Sequence, residues 1–234
     1  MENIADQRIL TIDIGGSHIK AVILNAHGML ISDYKRVPTP APAKTEAVLM
    51  AIKQMVKEFS FDKVSVGFPG YVKNGVVMTA PNLGTDLWTE FDLAGVLTDN
   101  LQKPVKVVND ADLQGLGLAR GKGLELVITL GTGFGTALIN NHQLLPHLEL
   151  AHHPVTKNQT YDEYIGEKIL IKIGRKRWNK RMKKVIKILE TVFHYDYLYI
   201  SGGNADKLDF QLGPNISIDS NKEGIKGGAR LWTT

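Results

Sequence analysis

Two polar residues, Asn109 and Asp110, directly follow the apolar segment Val105–Val108. The carboxyl end of a buried strand is where α/β proteins present their chemistry. A carboxylate at this point could accept a proton from a substrate hydroxyl, and the neighbouring amide could orient that substrate by hydrogen bonds. The alternative is structural, because Asn and Asp also cap the helix that follows such a strand. Capping would account for one of the two residues.

A glycine-rich turn between two apolar segments near the N-terminus could bind phosphate. Asp13 precedes the turn, which contains Gly15, Gly16 and Ser17, and Lys20 lies in the segment that follows. Because glycine has no Cβ, a phosphate can approach the backbone N–H groups closely. Ser17 adds a hydroxyl donor, and Asp13 could hold Mg²⁺ through water. A plain hairpin turn explains this motif equally well when it is taken alone.

A second glycine-rich turn, Gly131-Thr132-Gly133, joins the apolar segments Leu124–Leu130 and Phe134–Asn140. Two such turns, one in each half of the chain, could hold a polyanion from both sides with neutral donors. Hairpin turns of this kind also occur by chance, but the pairing favours phosphate binding for both.

Glu149 and His152 lie three residues apart. A carboxylate and an imidazole so close together can bind vicinal sugar hydroxyls. Their spacing also permits metal ligation, although further ligands are hard to identify. The structural alternative is a polar surface cluster.

The composition excludes several classes of protein. The chain has 234 residues, of which 43% are hydrophobic and 22% charged, and it contains no cysteine. Disulfides, thiolate metal sites and a cysteine nucleophile are therefore excluded. No apolar run approaches the roughly 20 residues of a membrane helix, and the first residues do not resemble a signal peptide. We expect a cytoplasmic protein without a membrane partner.

The hydrophobic pattern predicts an α/β protein of two domains, residues 1–108 and 109–221, with a C-terminal helix over 222–234 packed on the first. Predicted helices cover residues 47–59, 91–101, 111–120 and 178–193, with Thr45 as a possible cap of the first. The predicted strands are Arg8–Ile14, His18–Leu24, Met29–Val37, Lys63–Phe68, Val105–Val108, Leu124–Leu130, Phe134–Asn140 and Tyr197–Ile200.

In this order, the motifs resemble the ROK family of sugar kinases and repressors, and most of all its polyphosphate glucokinase branch. The resemblance extends from Ile9 to Leu208. It implies two RNase H-like domains of the actin-like ATPase superfamily, with mixed sheets and a substrate cleft between them. The matching segments are IDIGGSHIKAVILN, VGFPGYVKNGVVMTAPNLG, VNDADLQGLG, VITLGTGFGTALI, LELAHH and YLYISGGNADKL.

The resemblance implies a role for each motif residue. Asp110 would be the general base toward the sugar 6-hydroxyl. The resemblance also implies Mg²⁺, an ATP or polyphosphate donor, and a homodimer. The sugar would be bound by Asn82, Asn109, Glu149 and His152. Phosphate and Mg²⁺ would be held by Asp13, Gly15, Gly16, Ser17, Gly131, Thr132 and Gly133, and Gly202 and Gly203 would lie against the distal part of the donor.

The chain departs from the family pattern in several places. Many relatives carry a cysteine-rich zinc motif after the Glu-x-x-His segment, whereas this chain has none, so no structural zinc is expected. A second sugar-binding glutamate would fall near Glu163, on a thin match. Ala151 replaces the usual glycine. The first strand begins near Arg8, which leaves no room for a helix-turn-helix, so DNA is not an expected partner.

The hypothesis is therefore a hexose kinase that phosphorylates the 6-hydroxyl of glucose or a related hexose. The sugar and the choice between ATP and polyphosphate stay open. The basic residues of the segment 175–187 could form a polyphosphate track, but a solvated helix face is the favoured interpretation. One alternative is a non-catalytic sensor of sugar or phosphate. Another is a nucleic-acid binder, against which stands the scarcity of aromatic residues in the basic segment.

Overall fold

The computed structural model describes residues 7–233, which form two compact units. The first contains the residues up to Gly117 and those from Ile225 onward, and the second is Leu118–Gly224. Within the described residues, no helix is long and apolar enough to cross a membrane.

The first unit is built on a five-stranded mixed sheet in the order β3-β2-β1-β4-β8. The first three strands are antiparallel, whereas β4 runs parallel to β1, and β8 parallel to β4. In chain order the elements are β1 (Arg8–Ile14), β2 (His18–Asn25), β3 (Lys35–Pro38), α1 (Thr45–Val56), β4 (Lys63–Phe68), β5 (Val72–Lys73), β6 (Val76–Val77), β7 (Phe91–Asp92), α2 (Leu93–Leu101), β8 (Val105–Asn109) and α3 (Asp110–Leu118).

The second unit repeats the strand–turn–strand arrangement in a sheet of order β11-β10-β9-β14-β15. Its core packs the apolar face of a 19-residue helix against this sheet. The elements are β9 (Leu124–Leu130), β10 (Phe134–Asn140), β11 (Gln143–Leu144), β12 (Pro154–Thr156), β13 (Gln159–Thr160), α4 (Tyr161–Ile165), α5 (Glu167–Ile173), α6 (Arg175–Phe193), β14 (Tyr197–Ser201), β15 (Ile216–Ile218) and α7 (Asn221–Gly224).

Strand β1 is buried on both faces because its side chains alternate between two cores. Leu10 and Ile12 belong to the core that α1 and α2 cover, whereas Ile9 lies in a smaller cluster with Ile225 and Ala229. The C-terminal segment of the chain therefore completes the first unit, although it is far from β1 in sequence.

The C-terminal segment contains the short helix α8 (Gly227–Arg230), which packs on the sheet through glycine. Ser65 Oγ donates to the Gly228 carbonyl at 2.6 Å and accepts from Trp232 Nε1 at 2.9 Å. A Cβ on Gly228 would overlap the side chain of Thr11 in β1. The single helix predicted over 222–234 is thus two short helices, α7 and α8.

Several predicted boundaries differ from the structure. The helix predicted over 91–101, for example, begins at Leu93, after the short strand β7. The units divide after Gly117 rather than after residue 108, because α3 packs on the first sheet, where Leu113 contacts Gly67. The predicted strand Met29–Val37 is also too long, since β3 begins at Lys35. The Ser32 hydroxyl takes the place of a backbone carbonyl, accepting from the Ile23 N–H at 2.9 Å, and this interrupts strand pairing.

We expect the substitution Gly228→Ala to lower the free energy of unfolding by about 1–3 kcal/mol, because the added methyl group overpacks against Thr11. Urea unfolding measures the change. The matched control is Gly16→Ala in the same unit, where the new Cβ would lie 3.5 Å from its nearest neighbour. Equal stability of the two variants would contradict the proposed packing of α8.

Candidate active-site residues

The glycine turn of the first unit is a tight hairpin that Gly15 makes possible. The Gly15 N–H donates to the His18 carbonyl at 2.9 Å, and a Cβ on Gly15 would lie 3.0 Å from that oxygen. Asp13 and Lys20 face each other across the hairpin, with Nζ 3.1 Å from Oδ2. Gly16 and Ser17 are exposed at its tip. The structure therefore brings together the residues predicted to bind phosphate in this unit.

Thr39 fixes the carbonyl side of this turn. Its hydroxyl donates to the Gly15 carbonyl at 2.6 Å, and its backbone N–H donates to the Ser17 carbonyl at 2.9 Å. No pattern in the sequence marked Thr39, which lies in the proline-rich segment 37–44. Asn82, in contrast, was predicted from the family resemblance, and its Cβ lies 3.5 Å from the position that a Cβ on Gly16 would occupy.

Asn109 and Asp110 stand where β8 meets α3. Asn109 is 7% exposed, and its amide donates to the Gly70 carbonyl at 3.0 Å while its Oδ1 accepts from the Ala111 N–H at 2.8 Å. Asn109 therefore serves as a helix cap, the structural alternative of the sequence analysis. Asp110 Oδ1 accepts from the same N–H at 2.8 Å, and the residue is half-buried. Both side chains are held in place by backbone groups.

The two glycine turns of the second unit, Gly131–Gly133 and Gly202-Gly203, are neighbours. Asn204 joins them, because its amide Nδ2 donates to the Gly131 carbonyl at 3.1 Å and its N–H donates to the Leu130 carbonyl at 2.9 Å. A Cβ on Gly131 or Gly203 would meet no atom within 4 Å, so both backbones face open space. This arrangement suits the approach of an anion to the backbone N–H groups.

Asp162 supports the far end of the Gly131–Gly133 turn and was not predicted. Its Oδ1 accepts from the Phe134 N–H at 2.6 Å, and a Cβ on Gly133 would lie 3.0 Å from the same oxygen. Burial raises the pKa of the Asp162 carboxyl, an effect that this hydrogen bond and the charge of His152 oppose. No local motif marks Asp162, because its partner is 28 residues away.

Glu149 and His152 are close together, as predicted, but a second histidine is closer to the carboxylate. His147 Nε2 lies 3.3 Å from Glu149 Oε1, whereas His152 Nε2 lies 3.9 Å from Oε2. The hydrogen bond from His147 is the main reason why the pKa of Glu149 is lowered. His147 was missed by the sequence analysis. His152 is exposed and available to a ligand.

Glu163 has a local structural role. Its carboxylate accepts from the Thr160 N–H at 2.9 Å, and the Thr160 hydroxyl accepts from the Glu163 N–H, so the pair forms a capping box at the start of α4. Among residues 7–233, no group of three or more His, Asp or Glu side chains is placed to hold a metal ion.

The basic residues of the segment 175–187 lie on helix α6, where Arg181 is held by protein contacts and the others are exposed to solvent. Its apolar face is buried, and Trp178 donates from Nε1 to the Ile165 carbonyl at 2.7 Å. Arg181 is held against the second unit, with its guanidinium 4.4 Å from the ring centre of Tyr164 and donating to the Tyr164 carbonyl at 2.8 Å. The exposed basic residues are Arg175, Lys176, Arg177, Lys180, Lys183, Lys184 and Lys187.

The substitution Asn204→Ala should lower the free energy of unfolding by about 1–3 kcal/mol, because the Gly131 carbonyl and the Lys207 ammonium both lose their partner. Chemical denaturation measures the loss. Asn204→Asp separates the two contacts, since the carboxylate still accepts from Lys207 but cannot donate to Gly131. A change below about 0.5 kcal/mol in Asn204→Ala would contradict the bridging role, because that is the size of an ordinary surface substitution.

The pH dependence of stability should differ in sign between Asp162 and Glu149. A raised pKa means that ionised Asp162 destabilises the fold, and this cost disappears as the pH falls through the raised value. The free energy of unfolding of Asp162→Asn, relative to that of the wild type, should therefore be higher at about pH 7 than at about pH 4. Glu149, with its lowered pKa, stabilises the fold at neutral pH, so Glu149→Gln should lose stability there and lose less in acid.

Unfolding curves of the three proteins at several pH values test both signs. Parallel pH profiles for Asp162→Asn and Glu149→Gln would contradict the assigned environments of these two carboxyls.

Comparison with known proteins gives the family. A model of the ROK family matches residues 9–153. The polyphosphate glucokinase of Mycobacterium leprae (strain TN) is 34% identical over 208 residues, which cover 85% of this chain and 64% of that protein. The chain thus spans less than two thirds of the length of the M. leprae relative. The polyphosphate glucokinase of Mycobacterium tuberculosis (strain CDC 1551 / Oshkosh) is 33% identical over 209 residues, covering 85% of this chain and 78% of that protein.

A solved structure with the same fold is the inorganic polyphosphate/ATP-glucomannokinase from Arthrobacter sp. strain KM. It is 30% identical and superimposes with a TM-score of 0.85, covering 98% of this chain and all of that one. This likeness confirms the predicted α/β fold of the actin-like superfamily and the predicted resemblance to the polyphosphate glucokinase branch. The matched family model and the identity to these relatives show that the chain belongs to the ROK family.

Proposed function

We propose that the protein is a hexose kinase that transfers a phosphoryl group from polyphosphate or ATP to the 6-hydroxyl of glucose or a related hexose. The observation that carries the proposal is the pair Asn109 and Asp110, fixed at the junction of β8 and α3 in a member of the ROK family. The names of the relatives, polyphosphate glucokinase and polyphosphate/ATP-glucomannokinase, support the substrates.

Asp110 is the general base. Its carboxylate is half-buried and restrained by the Ala111 N–H, so it can be held at one position toward a sugar hydroxyl. It takes the proton of the 6-hydroxyl as the oxygen attacks the terminal phosphorus of the donor. The bond from that phosphorus to the bridging oxygen breaks, and ADP or a polyphosphate shortened by one phosphate leaves. Catalysis of this kind depends on positioning and on charge stabilisation more than on covalent chemistry.

The side chains proposed to bind sugar hydroxyls are Asn82 and Asn109 in the first unit, and Glu149 and His152 in the second. In the first unit, Asn82 lies beside Gly16. In the second, His147 keeps Glu149 in its ionised form, which accepts hydrogen bonds from two hydroxyls. His152, exposed beside it, adds a ring nitrogen. Asn109 reaches the sugar from a position that its bond to Gly70 fixes.

The phosphates are bound by backbone N–H groups of the glycine turns. The side chains of Ser17 and Thr132 add hydroxyl donors, and Lys20 adds a positive charge opposite Asp13. The N–H groups of Gly16, Gly133 and Gly203 are the candidate donors, and Gly202 lies beside them. Gly15 and Gly131 shape the turns, because their N–H groups donate to the His18 and Gly133 carbonyls at 2.9 and 3.1 Å.

Mg²⁺ fits the residues at one point, Asp13. This carboxylate is partly exposed and 3.1 Å from the Lys20 ammonium, and a magnesium ion commonly takes one or two carboxylates and completes its shell with water and substrate phosphates. Asp13 would hold the ion through water. When bound, the ion supplies charge neutralisation for the transferred phosphoryl group. The resemblance also supports a cytoplasmic location and a homodimer, and size-exclusion chromatography tests the oligomeric state.

A non-catalytic sensor is the alternative. Binding alone requires the sugar and phosphate contacts but no base, so the retention of Asp110 favours an enzyme. The first experiment combines the protein with glucose, Mg²⁺ and either donor and measures glucose 6-phosphate. Turnover with either donor supports the kinase, whereas glucose binding without turnover across a panel of hexoses supports the sensor.

We expect Asp110→Asn to lower kcat by about 10²–10⁴-fold, since the base is lost, and to change glucose affinity little. Asparagine keeps the oxygen that accepts from the Ala111 N–H, so the fold should be retained. Turnover assays and glucose titration on the same preparation separate the two effects. Undiminished kcat in a folded variant would refute Asp110 as the base.

A further inference from the structure

Helix α6 exposes a straight ridge of four lysines, Lys176, Lys180, Lys183 and Lys187. Their spacings of four, three and four residues place them on one face of the helix. With a rise of 1.5 Å per residue, the ridge is about 16 Å long. It lies opposite the buried apolar face, so the ammonium groups line a solvent-facing track.

The charges of this ridge are not balanced within the described part of the chain. Among residues 7–233, no carboxylate forms an ion pair with a basic side chain of α6. Like charges three or four residues apart repel, and basic residues at a helix N-terminus oppose the helix dipole. The ridge therefore opposes helix formation, and the buried side chains of Trp178, Met182 and Leu189 offset it. A bound polyanion would remove this repulsion.

A chain of hydrogen bonds links the start of α6 to the glycine turn of the second unit. Arg175 Nε donates to the Lys207 carbonyl at 2.8 Å, and Lys207 Nζ donates to Asn204 Oδ1 at 2.6 Å. Asn204 in turn donates to the Gly131 carbonyl. Positive side chains thus continue from the turn, through Lys207 and Arg175, to Lys176 at the beginning of the ridge.

We propose that the ridge binds the distal phosphates of an inorganic polyphosphate chain whose terminal phosphates lie at the Gly131–Gly133 turn. The inference rests on the proposed function and specifies how that site takes a long donor. ATP has only three phosphates and would need the turn but not the ridge. Lysine suits this role because its ammonium is a compact charge with donors in every direction, which requires no particular phosphate orientation.

Single-stranded nucleic acid is a less suitable occupant. Proteins that bind it combine basic grooves with exposed aromatic rings on which bases stack. Trp178 is fully buried, and the rings beside the basic residues, Tyr164 and Phe210, are half-buried and already contact Arg181 and Lys183. A phosphate chain without bases needs no free ring to stack on, so it suits the ridge better.

The test replaces all four ridge lysines by glutamine, which has a similar helix propensity. The matched control replaces four exposed lysines of the first unit, Lys44, Lys53, Lys57 and Lys73, by glutamine. We expect the ridge variant to raise the KM for long-chain polyphosphate about tenfold or more, because four phosphate contacts are lost. The KM values for ATP and tripolyphosphate should stay within about twofold. The control should match the wild type with all three donors.

Direct binding of long-chain polyphosphate, measured by calorimetry at several salt concentrations, makes the result independent of turnover. Each lost phosphate contact should reduce the slope of log K against log salt by about 0.7–0.9, so the ridge variant should lose about 3 units of slope. If the wild-type protein binds polyphosphate through the ridge but phosphorylates no hexose, the proposed function is refuted, whereas polyphosphate binding by the ridge is supported.

Three outcomes would refute the proposal that the ridge binds polyphosphate. One is equal KM changes for ATP and long-chain polyphosphate, and another is an unchanged salt slope in the ridge variant. The third is tighter ridge-dependent binding of a homopolymeric single-stranded RNA than of polyphosphate. The control variant shows whether any change reflects net charge alone.

Discussion

The glycine turns of the two units depend on the same constraint. A glycine turn that offers its N–H groups to an anion must have its carbonyls held by other groups, or the turn would not keep one conformation. In the first unit, the Thr39 hydroxyl holds the Gly15 carbonyl at 2.6 Å. In the second, the Asn204 amide holds the Gly131 carbonyl at 3.1 Å. Each turn is therefore anchored from its carbonyl side by a side chain that comes from elsewhere in the chain.

Packing of the C-terminal segment against α3 fixes the position of the proposed base, Asp110. Helix α3 begins with Asp110, and a Cβ on Gly227 of α8 would overlap the Leu113 carbonyl of α3. On its other side α3 contacts the sheet, since a Cβ on Gly67 would lie 3.3 Å from the Asp110 Cα. Small residues on both neighbours thus allow α3 to sit close to β4. The position of Asp110 is set by backbone packing rather than by a flexible loop.

Local sequence patterns predicted most helices and strands, but they could not predict contacts between residues that are far apart in sequence. The hairpin Leu124–Leu130 and Phe134–Asn140 was predicted to the residue, because two apolar segments and the glycine turn between them are adjacent in sequence. The anchors of the turns were missed, since Asn204 lies 73 residues from Gly131 and Asp162 lies 28 from Phe134.

The position of Asp110 itself came from its place after an apolar strand, whereas the role of Asn82 came only from the family resemblance. The overlong third strand failed for a different reason. There the side chain of Ser32 competes with the backbone for the same N–H, which a hydrophobic pattern does not register.

The capping interpretation of Asn109 and the catalytic interpretation of Asp110 are compatible, and together they argue for chemistry. A helix start needs one capping oxygen for this N–H, and Asn109 supplies it at 2.8 Å from the Ala111 N–H. The Asp110 carboxylate approaches the same donor, so the cap does not require it. A negative charge in the first turn of a helix is favourable for the fold, but any exposed first-turn position offers that benefit. A half-buried carboxylate beside a buried amide that is itself tied to Gly70 is the geometry that the proposed base requires, because both side chains are restrained before a substrate binds.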